Sequence, residues 1–159
     1  MSAITFRSGT PEDTPLILRF IRDLAEYERL SHEVKATEET LRETLFGQRR
    51  VAEVTFAEVE GVPAGFALFF HNYSTFLAKP GLYLEDLFVL PEYRGLGIGK
   101  ALLKELARIA VERGCGRFEW WVLNWNEPSI EFYKRQGAVA MDEWTVYRVA
   151  GDALVKLAE

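Results

Sequence analysis

Cysteine and histidine are scarce in this sequence of 159 residues, which holds one cysteine, Cys115, and two histidines, His32 and His71. A single cysteine cannot form an internal disulfide, as is usual for proteins of the reducing cytosol. Three metal-binding side chains so far apart in the chain give none of the spacings typical of a zinc site. We therefore expect a cytoplasmic protein that binds no metal.

Long apolar runs and an excess of positive charge are also missing. No stretch approaches the roughly 20 apolar residues of a membrane-spanning helix, and the first residues are polar and acidic, unlike a signal peptide. The net charge is −5, whereas binding to a nucleic-acid backbone needs a basic face. We expect neither a membrane nor a nucleic acid as partner, and an acidic protein is compatible with a small cationic substrate.

The composition is that of an ordinary globular protein, with 48% hydrophobic and 27% charged residues. The length suits one domain, residues 1–159. Apolar alternation predicts strands at 3–7, 51–59, 64–70, 82–90, 117–123, 138–141 and 144–149. Helical spacing predicts helices after Thr10 through Tyr27, at 37–46, at 98–110, at 130–136 and at 152–158. Residues 71–80 are predicted to form a polar loop. This order predicts a mixed α/β fold with one sheet and helices on both faces.

The central run, residues 82–103, reads LYLEDLFVLPEYRGLGIGKALL. Its apolar strand ends at Pro91, a glycine-rich turn follows, and an amphipathic helix begins. The first N–H groups of a helix have no intrahelical partner, and the helix dipole favours negative charge there. Glycines let a phosphate approach these amides, and Arg94 is a forked donor suited to phosphate oxygens. The run therefore predicts an anion site, the alternative being a glycine turn without a ligand.

The spacing of the glycines distinguishes between phosphate loops. Gly99-Lys100 lacks the glycine five residues earlier and the following Ser or Thr of a kinase-type P-loop. The dinucleotide fingerprint also fails, because a third glycine would have to stand at Ile98 or Leu102. The turn spells Arg-x-x-Gly-x-Gly, which resembles the pyrophosphate loop of the GNAT superfamily of acetyl-CoA-dependent N-acetyltransferases. The resemblance implies acetyl-CoA as cosubstrate, held by Arg94, Gly95, Leu96, Gly97, Ile98, Gly99 and Lys100.

A closer resemblance extends from residue 4 to the carboxyl end. The segments LYLEDLFV, PEYRGLGIGKALL and WNEPSIEFYKRQGA, with the late Trp144, are similar to the diamine branch of the GNAT enzymes, the spermidine/spermine and thialysine N-acetyltransferases. The resemblance implies the GNAT fold: a single, mixed, mostly antiparallel central sheet with a splayed strand pair and helices on both faces. It also implies a homodimer, in which the second subunit often completes the substrate site.

Two residues are candidates for catalysis. Acetylation of an alkyl amine with a pKa of about 10 requires a group that takes its proton, and Glu85, inside the strand before the turn, is our candidate. Strand alternation would place Asp86 on the opposite face unless a bulge re-aims it. At the position of Tyr133 the family has a tyrosine that gives a proton to the departing thiolate. The alternative for Glu85 and Asp86 is that both are structural carboxylates that bind backbone or an arginine. The alternative for Tyr133 is that it is an aromatic residue packed against Phe132.

The resemblance also implies binding residues. Backbone groups of Leu87, Phe88 and Val89 would bind the pantetheine arm, and Asn126, Ser129 and Lys134 would contact the cofactor. The substrate residues would be Tyr27, Glu28, Glu85, Asp86, Asp142 and Trp144. Acidic and aromatic side chains are what a polyamine needs. One departure from the family is the segment Glu119-Trp120-Trp121, which is bulkier than expected on the substrate-lining strand. A tryptophan that faces the cleft would narrow it. Alternatively, one tryptophan would belong to the core and the other to the dimer surface.

The sequence thus predicts an enzyme that transfers acetyl from acetyl-CoA directly to a primary amine of a polyamine, diamine or thialysine-like acceptor. Direct attack is expected because Cys115, between two glycines, has neither a base nor an oxyanion site nearby. A protein or peptide amine is an alternative acceptor. A non-catalytic acetyl-CoA sensor is the alternative from another class, although a sensor needs neither Glu85 nor Tyr133.

Overall fold

The computed structural model describes residues 2–159 and divides the chain into two compact units, Met1–Trp121 and Val122–Glu159. The first unit contains every strand found among the described residues, and the second contains two helices. The expectation of a single domain over residues 1–159 stays a prediction.

The first unit is built on a five-stranded sheet in the order β1-β2-β3-β4-β5. Neighbouring strands are antiparallel except for β4 and β5, which are parallel, so the predicted mixed and mostly antiparallel sheet is confirmed. The strands are β1 (Ile4–Ser8), β2 (Glu53–Val59), β3 (Val62–Ser74), β4 (Lys79–Val89) and β5 (Arg117–Trp120). The helices are α1 (Thr14–Tyr27), α2 (Glu38–Phe46) and α3 (Ile98–Glu112).

Helices cover both faces of this sheet. The main core joins α1 and α2 to alternate residues of β2, β3 and β4, and the ring of Phe20 lies 5.4 Å from that of Phe66 and 6.3 Å from that of Phe88. We call this side of the sheet the α1 face. Gly65, the residue before Phe66 on β3, faces the other way, because a Cβ added to it would lie 3.4 Å from Leu102 of α3. Helix α3 therefore packs on the opposite face.

A β-bulge interrupts β4 at Glu85. Phe69 of β3 pairs with Leu84, and the preceding residue, Leu68, pairs with Asp86, so Glu85 is an extra residue. Leu68 belongs to the core under α1, and its pairing partner Asp86 therefore lies on the α1 face. Leu84 lies on the opposite face with Phe69. The bulge thus places two successive side chains, Glu85 and Asp86, on the α1 face, where plain alternation would separate them.

Strands β4 and β5 diverge beyond the bulge. They pair only from Gly81 with Arg117 to Leu84 with Trp120, whereas β4 continues to Val89. Among the described residues no strand lies along the β5 side of residues 85–89. This divergence is the splayed pair that the resemblance implies, and it leaves a stretch of β4 backbone open on one side.

The predicted polar loop at residues 71–80 is wrong. Strands β3 and β4 form one long hairpin that pairs His71 with Leu82 and continues to Ser74 with Lys79. Polar side chains do not prevent a strand when both backbones find partners, and in this hairpin each strand supplies the other's hydrogen bonds. The connecting turn is confined to residues 75–78.

An ion-pair network anchors β1 to the start of α1. The guanidinium of Arg7 bonds both carboxylate oxygens of Asp13, at 2.7 and 2.9 Å, and Oε2 of Glu58 at 2.9 Å. Asp13 also accepts a hydrogen bond from the backbone N–H of Thr10 at 2.8 Å. The carboxylate of Asp13 therefore holds the helix start against the sheet.

The second unit contains α4 (Glu127–Arg135) and α5 (Asp152–Leu157). The strands predicted at 138–141 and 144–149 are wrong, because neither segment is in a strand. Their apolar alternation is typical of strands, yet a strand forms only where another backbone completes its hydrogen bonds. The side chains of residues 139–150 are exposed, including those of Trp144 and Tyr147.

Replacement of Phe20 by alanine tests the core on the α1 face. Phe20 is fully buried, and its removal leaves a cavity between α1 and the sheet. We expect Phe20→Ala to lower the free energy of unfolding by about 3–5 kcal/mol in urea denaturation. The same change at Phe76, which is 94% exposed, should alter it by no more than about 0.5 kcal/mol. Equal losses in the two variants would contradict this description of the core.

Candidate active site

Two glycines of the turn between β4 and α3 are required by backbone conformation. Gly95 has φ 82° and Gly97 has φ 80°, in the left-handed region that side chains disfavour. A Cβ at either position would meet no atom within 4 Å, so the constraint is conformation and not space. Gly97 is the N-cap of α3. The predicted glycine turn therefore forms as expected.

The start of α3 has the geometry of an anion site. The carbonyl oxygen of Gly97 accepts the first helical bond, from the N–H of Ala101 at 2.9 Å. The N–H groups of Ile98, Gly99 and Lys100 precede that bond and have no acceptor within the helix. Ile98 is buried and fixes the turn to the core, while Leu96 and Lys100 are exposed.

The side chain of Arg94 lies towards the α1 face. Its Nε donates to the carbonyl oxygen of Val89 at 3.0 Å. The guanidinium carbon lies 5.4 Å from the ring centroid of Tyr27 and 5.3 Å from that of Phe88, distances typical of cation–π contacts. The glycine turn is thereby connected to the end of α1. A role of Arg94 in phosphate binding stays a prediction.

Three carboxylates gather on the α1 face beside this turn. Glu28 follows the last residue of α1 as its C-cap, and Glu85 and Asp86 stand at the bulge of β4. Glu28 and Asp86 are partly buried, whereas Glu85 is exposed. The structure thus brings together four of the residues expected to bind substrate, since Tyr27 precedes Glu28 on α1.

The carboxylates perturb one another. Burial, then the charges of Glu85 and Glu28, raise the pKa of Asp86 to about 7. Burial, followed by the charge of Glu85, also raises the pKa of Glu28 above its ordinary value. Negative charge is therefore costly at this point of the sheet, and a cation or a proton is favoured there.

The backbone of residues 87–89 runs past this group along the open side of β4. Phe88 is buried in the core under α1, and Val89 packs towards α3. Neither side chain is polar, so any polar contact to a ligand must come from the backbone. The expected contacts of Leu87, Phe88 and Val89 with pantetheine stay a prediction.

The second unit carries the other candidates on α4. The buried side chain of Asn126 caps this helix, because its Oδ1 accepts from the N–H of Ser129 at 3.4 Å. Tyr133 is partly buried, with its ring 5.5 Å from that of Phe132. Lys134 is exposed and lies 3.4 Å from Glu131. Their expected roles in catalysis and cofactor binding stay predictions, as do those of the exposed residues Asp142 and Trp144.

The segment Glu119-Trp120-Trp121, for which the sequence left two placements open, lies at the end of β5. Glu119 and Trp121 share the α1 face with Tyr83, the pairing partner of Glu119. Trp120 lies on the opposite face, where its ring is 4.9 Å from that of Phe118. Alternation along the RFEWW segment predicts that the two tryptophans lie on opposite faces of the sheet. Only the pairing with β4 shows which tryptophan lies on the same face as the carboxylates.

Neither a metal cluster nor a membrane helix is found in the part of the chain that the structure describes. No three His, Cys, Asp or Glu side chains in residues 2–159 are placed to hold a metal ion. In the same range, no helix combines the length and the apolar content that crossing a bilayer requires. The expectation of no bound metal stays a prediction.

Comparison with known proteins assigns the chain to a family. The profile of the Acetyltransferase (GNAT) family matches residues 18–138, which include the glycine turn, the carboxylates and α4. This chain belongs to the GNAT acetyltransferase family. Its members use acetyl-CoA as cosubstrate, and the predicted fold and enzyme class, an N-acetyltransferase, are confirmed.

Individual relatives cover almost the whole chain. It is 38% identical to a thialysine N-epsilon-acetyltransferase of Sus scrofa over 99% of both chains. It is 37% identical to an L-ornithine N5-acetyltransferase of Arabidopsis thaliana, over 93% of this chain and 85% of that protein. An integron cassette protein from the mobile metagenome of V. cholerae has a structure with a TM-score of 0.82 and 30% identity, covering 100% of this GNAT chain and 99% of its own. The predicted likeness to the thialysine branch is confirmed.

The raised pKa of Asp86 predicts a pH dependence of stability. Between the unfolded pKa of about 4 and the folded pKa of about 7, the folded state holds a proton that the unfolded state has lost. Stability should therefore fall as pH rises through this window, by at most about 1.4 kcal/mol per pH unit from this group. Asp86→Asn should remove that slope in urea denaturation. Asp142→Asn, a matched change at an exposed position, should keep it; parallel profiles for all three proteins would argue against a buried, repelled carboxyl.

Proposed function

We propose that this GNAT enzyme transfers acetyl from acetyl-CoA directly to a primary amine of a small cationic acceptor, a polyamine, a diamine or a thialysine-like compound. The observation that carries the proposal is the group of three carboxylates, Glu28, Glu85 and Asp86, on one face of the sheet beside the glycine turn. Crowded carboxylates favour a bound ammonium group, which relieves their mutual repulsion.

The glycine turn fits the diphosphate of acetyl-CoA. Gly95 and Gly97 hold the backbone in the left-handed conformation just before the amides of Ile98, Gly99 and Lys100, and a Cβ at either glycine would meet no atom within 4 Å. When bound, acetyl-CoA supplies an activated thioester. In the proposed assignment the open backbone at 87–89 aligns the pantetheine arm, and Asn126, Ser129, Lys134 and Arg94 complete the binding groups.

Glu85 is the proposed acceptor of the amine proton. An alkyl ammonium is almost wholly charged at neutral pH and has no lone pair for attack. Glu85 is the exposed member of the carboxylate group, so it can reach an incoming amine directly or through one water. Removal of one proton frees the nitrogen lone pair, which forms the new bond to the acetyl carbon.

Tyr133 is the proposed donor of the proton that the departing sulfur needs. As the carbon–sulfur bond breaks, sulfur keeps the electron pair, and the Tyr133 phenol neutralises it by donating its proton. Water then restores the phenol. Cys115 takes no part, so no acyl-enzyme forms.

The side chains of the site and the names of the relatives support the proposed acceptor class. Tyr27, Glu28, Glu85 and Asp86 offer an aromatic ring and carboxylates, which suit ammonium groups and methylenes, and Asp142 and Trp144 are proposed to join them. Relatives named for thialysine and ornithine acetylation have acceptors of the same amine type. The chain thus resembles enzymes of small amines along nearly its whole length.

An acceptor panel tests this proposal. We would measure thiol release from acetyl-CoA with spermidine, spermine, putrescine, thialysine, ornithine, lysine and a short lysine peptide. Saturable turnover is expected with at least one small amine, and Tyr133→Phe should lower kcat by about 100-fold or more while acetyl-CoA affinity stays nearly unchanged. Tyr73→Phe, the same change at a side chain that is 65% exposed, should keep normal turnover.

Other outcomes would redirect the proposal. Turnover with the peptide alone would favour a protein acceptor. Tight binding of acetyl-CoA without turnover of any acceptor would favour a sensing module. Normal turnover in Tyr133→Phe would remove this tyrosine from the mechanism and leave the acceptor class intact.

We also propose that the enzyme is a homodimer of the cytosol. Residues 139–149 expose a series of large apolar side chains, among them Val139, Met141, Trp144, Val146, Tyr147 and Val149. Such a series is rare on a monomer surface and is typical of an interface. Light scattering should give twice the 18.2 kDa of one chain, and Trp144→Asp should shift the mass towards one chain. A wild-type mass of 18.2 kDa would exclude the dimer.

A further inference from the structure

The α1 face of the sheet continues beyond the carboxylate group, away from the glycine turn. Following β4 backwards from the bulge, Tyr83 and Gly81 lie on the same face as Glu85, because they alternate with Leu84 and Leu82. Leu84 and Leu82 are buried on the opposite face of the sheet, on which α3 packs. A strip of surface therefore runs from the proposed reaction site towards β5.

Aromatic rings form the middle of this strip. The ring of Tyr83 lies 4.9 Å from that of Phe70 and 5.9 Å from that of Trp121, and the rings of Tyr83 and Trp121 are nearly perpendicular, at 85°. Trp121 is 58% exposed. Two rings at a right angle present faces suited both to methylene groups and to a cation.

A carboxylate stands at the far end of the strip. Glu119 pairs with Tyr83 across the parallel strands, and its Oε1 accepts a hydrogen bond from Nδ2 of Asn72 at 3.4 Å. Asn72 reaches Glu119 across Gly81, where a Cβ would collide with Oδ1 of Asn72. The glycine therefore lets the amide hold the carboxylate beside the rings.

We propose that Glu119, with Tyr83 and Trp121, is a specificity-determining subsite that binds the second cationic group of a diamine whose first amine is acetylated beside Glu85. This inference rests on the proposed function and deepens it. It commits to an acceptor with positive charge at both ends and methylenes between them.

The spacing suits such a molecule. Three residue steps along β4 and one step across to β5 separate Asp86 from Glu119, a distance of roughly 10 Å. A short methylene chain crosses this span over the rings of Tyr83 and Trp121. Arg117 lies two positions before Glu119 but makes no ion pair with it among residues 2–159.

The subsite also predicts discrimination. A distal carboxylate on the acceptor would face Glu119 and be repelled, while a plain alkylamine would leave Glu119 without a cation. Only the cationic end distinguishes a diamine from the alkylamine of equal length. Comparing the diamine with that alkylamine therefore isolates the contribution of Glu119 from the other contacts.

The experiment compares kcat/KM for α,ω-diamines with that for n-alkylamines of the same chain lengths. Glu119→Gln should lower kcat/KM about tenfold for the diamines, mainly through KM, and less than twofold for the alkylamines. Glu119→Lys should raise kcat/KM for an ω-amino acid above the wild-type value. Glu39→Gln, at an exposed position of α2, should change none of them.

The alkylamines show whether a variant is folded and active. Equal losses for diamines and alkylamines in Glu119→Gln, or no loss for either, would overturn the subsite, and the proposed function would stand because wild-type turnover persists. Wild-type protein that acetylates no amine in either series or in the acceptor panel would overturn the proposed function and the subsite with it. A loss for the diamines alone supports the subsite.

Discussion

The β-bulge at Glu85 is the constraint on which the candidate site depends. One extra residue in β4 shifts the alternation by one position, so Leu84 packs towards α3 while Glu85 and Asp86 both face α1. Without it, the two carboxylates would lie on opposite faces. The same interruption marks the point where β5 stops pairing with β4, so the carboxylates and the open backbone arise at one place.

Electrostatics at this place disfavour negative charge. Burial and the neighbouring carboxylates raise the pKa values of Asp86 and Glu28. Arg94 brings a positive charge to the edge of this region and stacks on Tyr27. The glycine turn and the end of α1 are thus connected through one side chain.

Much of the fold could be predicted from local patterns. The glycine turn, the start of α2 at Thr37 and the helical period of α3 depend on residues close in sequence. The errors concern pairing. Residues 71–74 and 79–80 lie in strands because β3 and β4 supply each other's hydrogen bonds, whereas residues 138–149 lie in none. The polarity of the segments predicts neither outcome, because polarity does not show whether a partner strand is present.

The sequence by itself determined the family, the glycine turn and the chemical types of the candidate residues, since these follow from motif spacing and side-chain chemistry. Tertiary structure alone decided which carboxylates meet. Asp86 joins Glu28 and Glu85 only because β4 bulges against β3, and Glu119 joins Tyr83 only because β5 pairs in parallel at one register. Register depends on contacts between residues far apart in the chain, and a shift of one position moves every side chain to the other face.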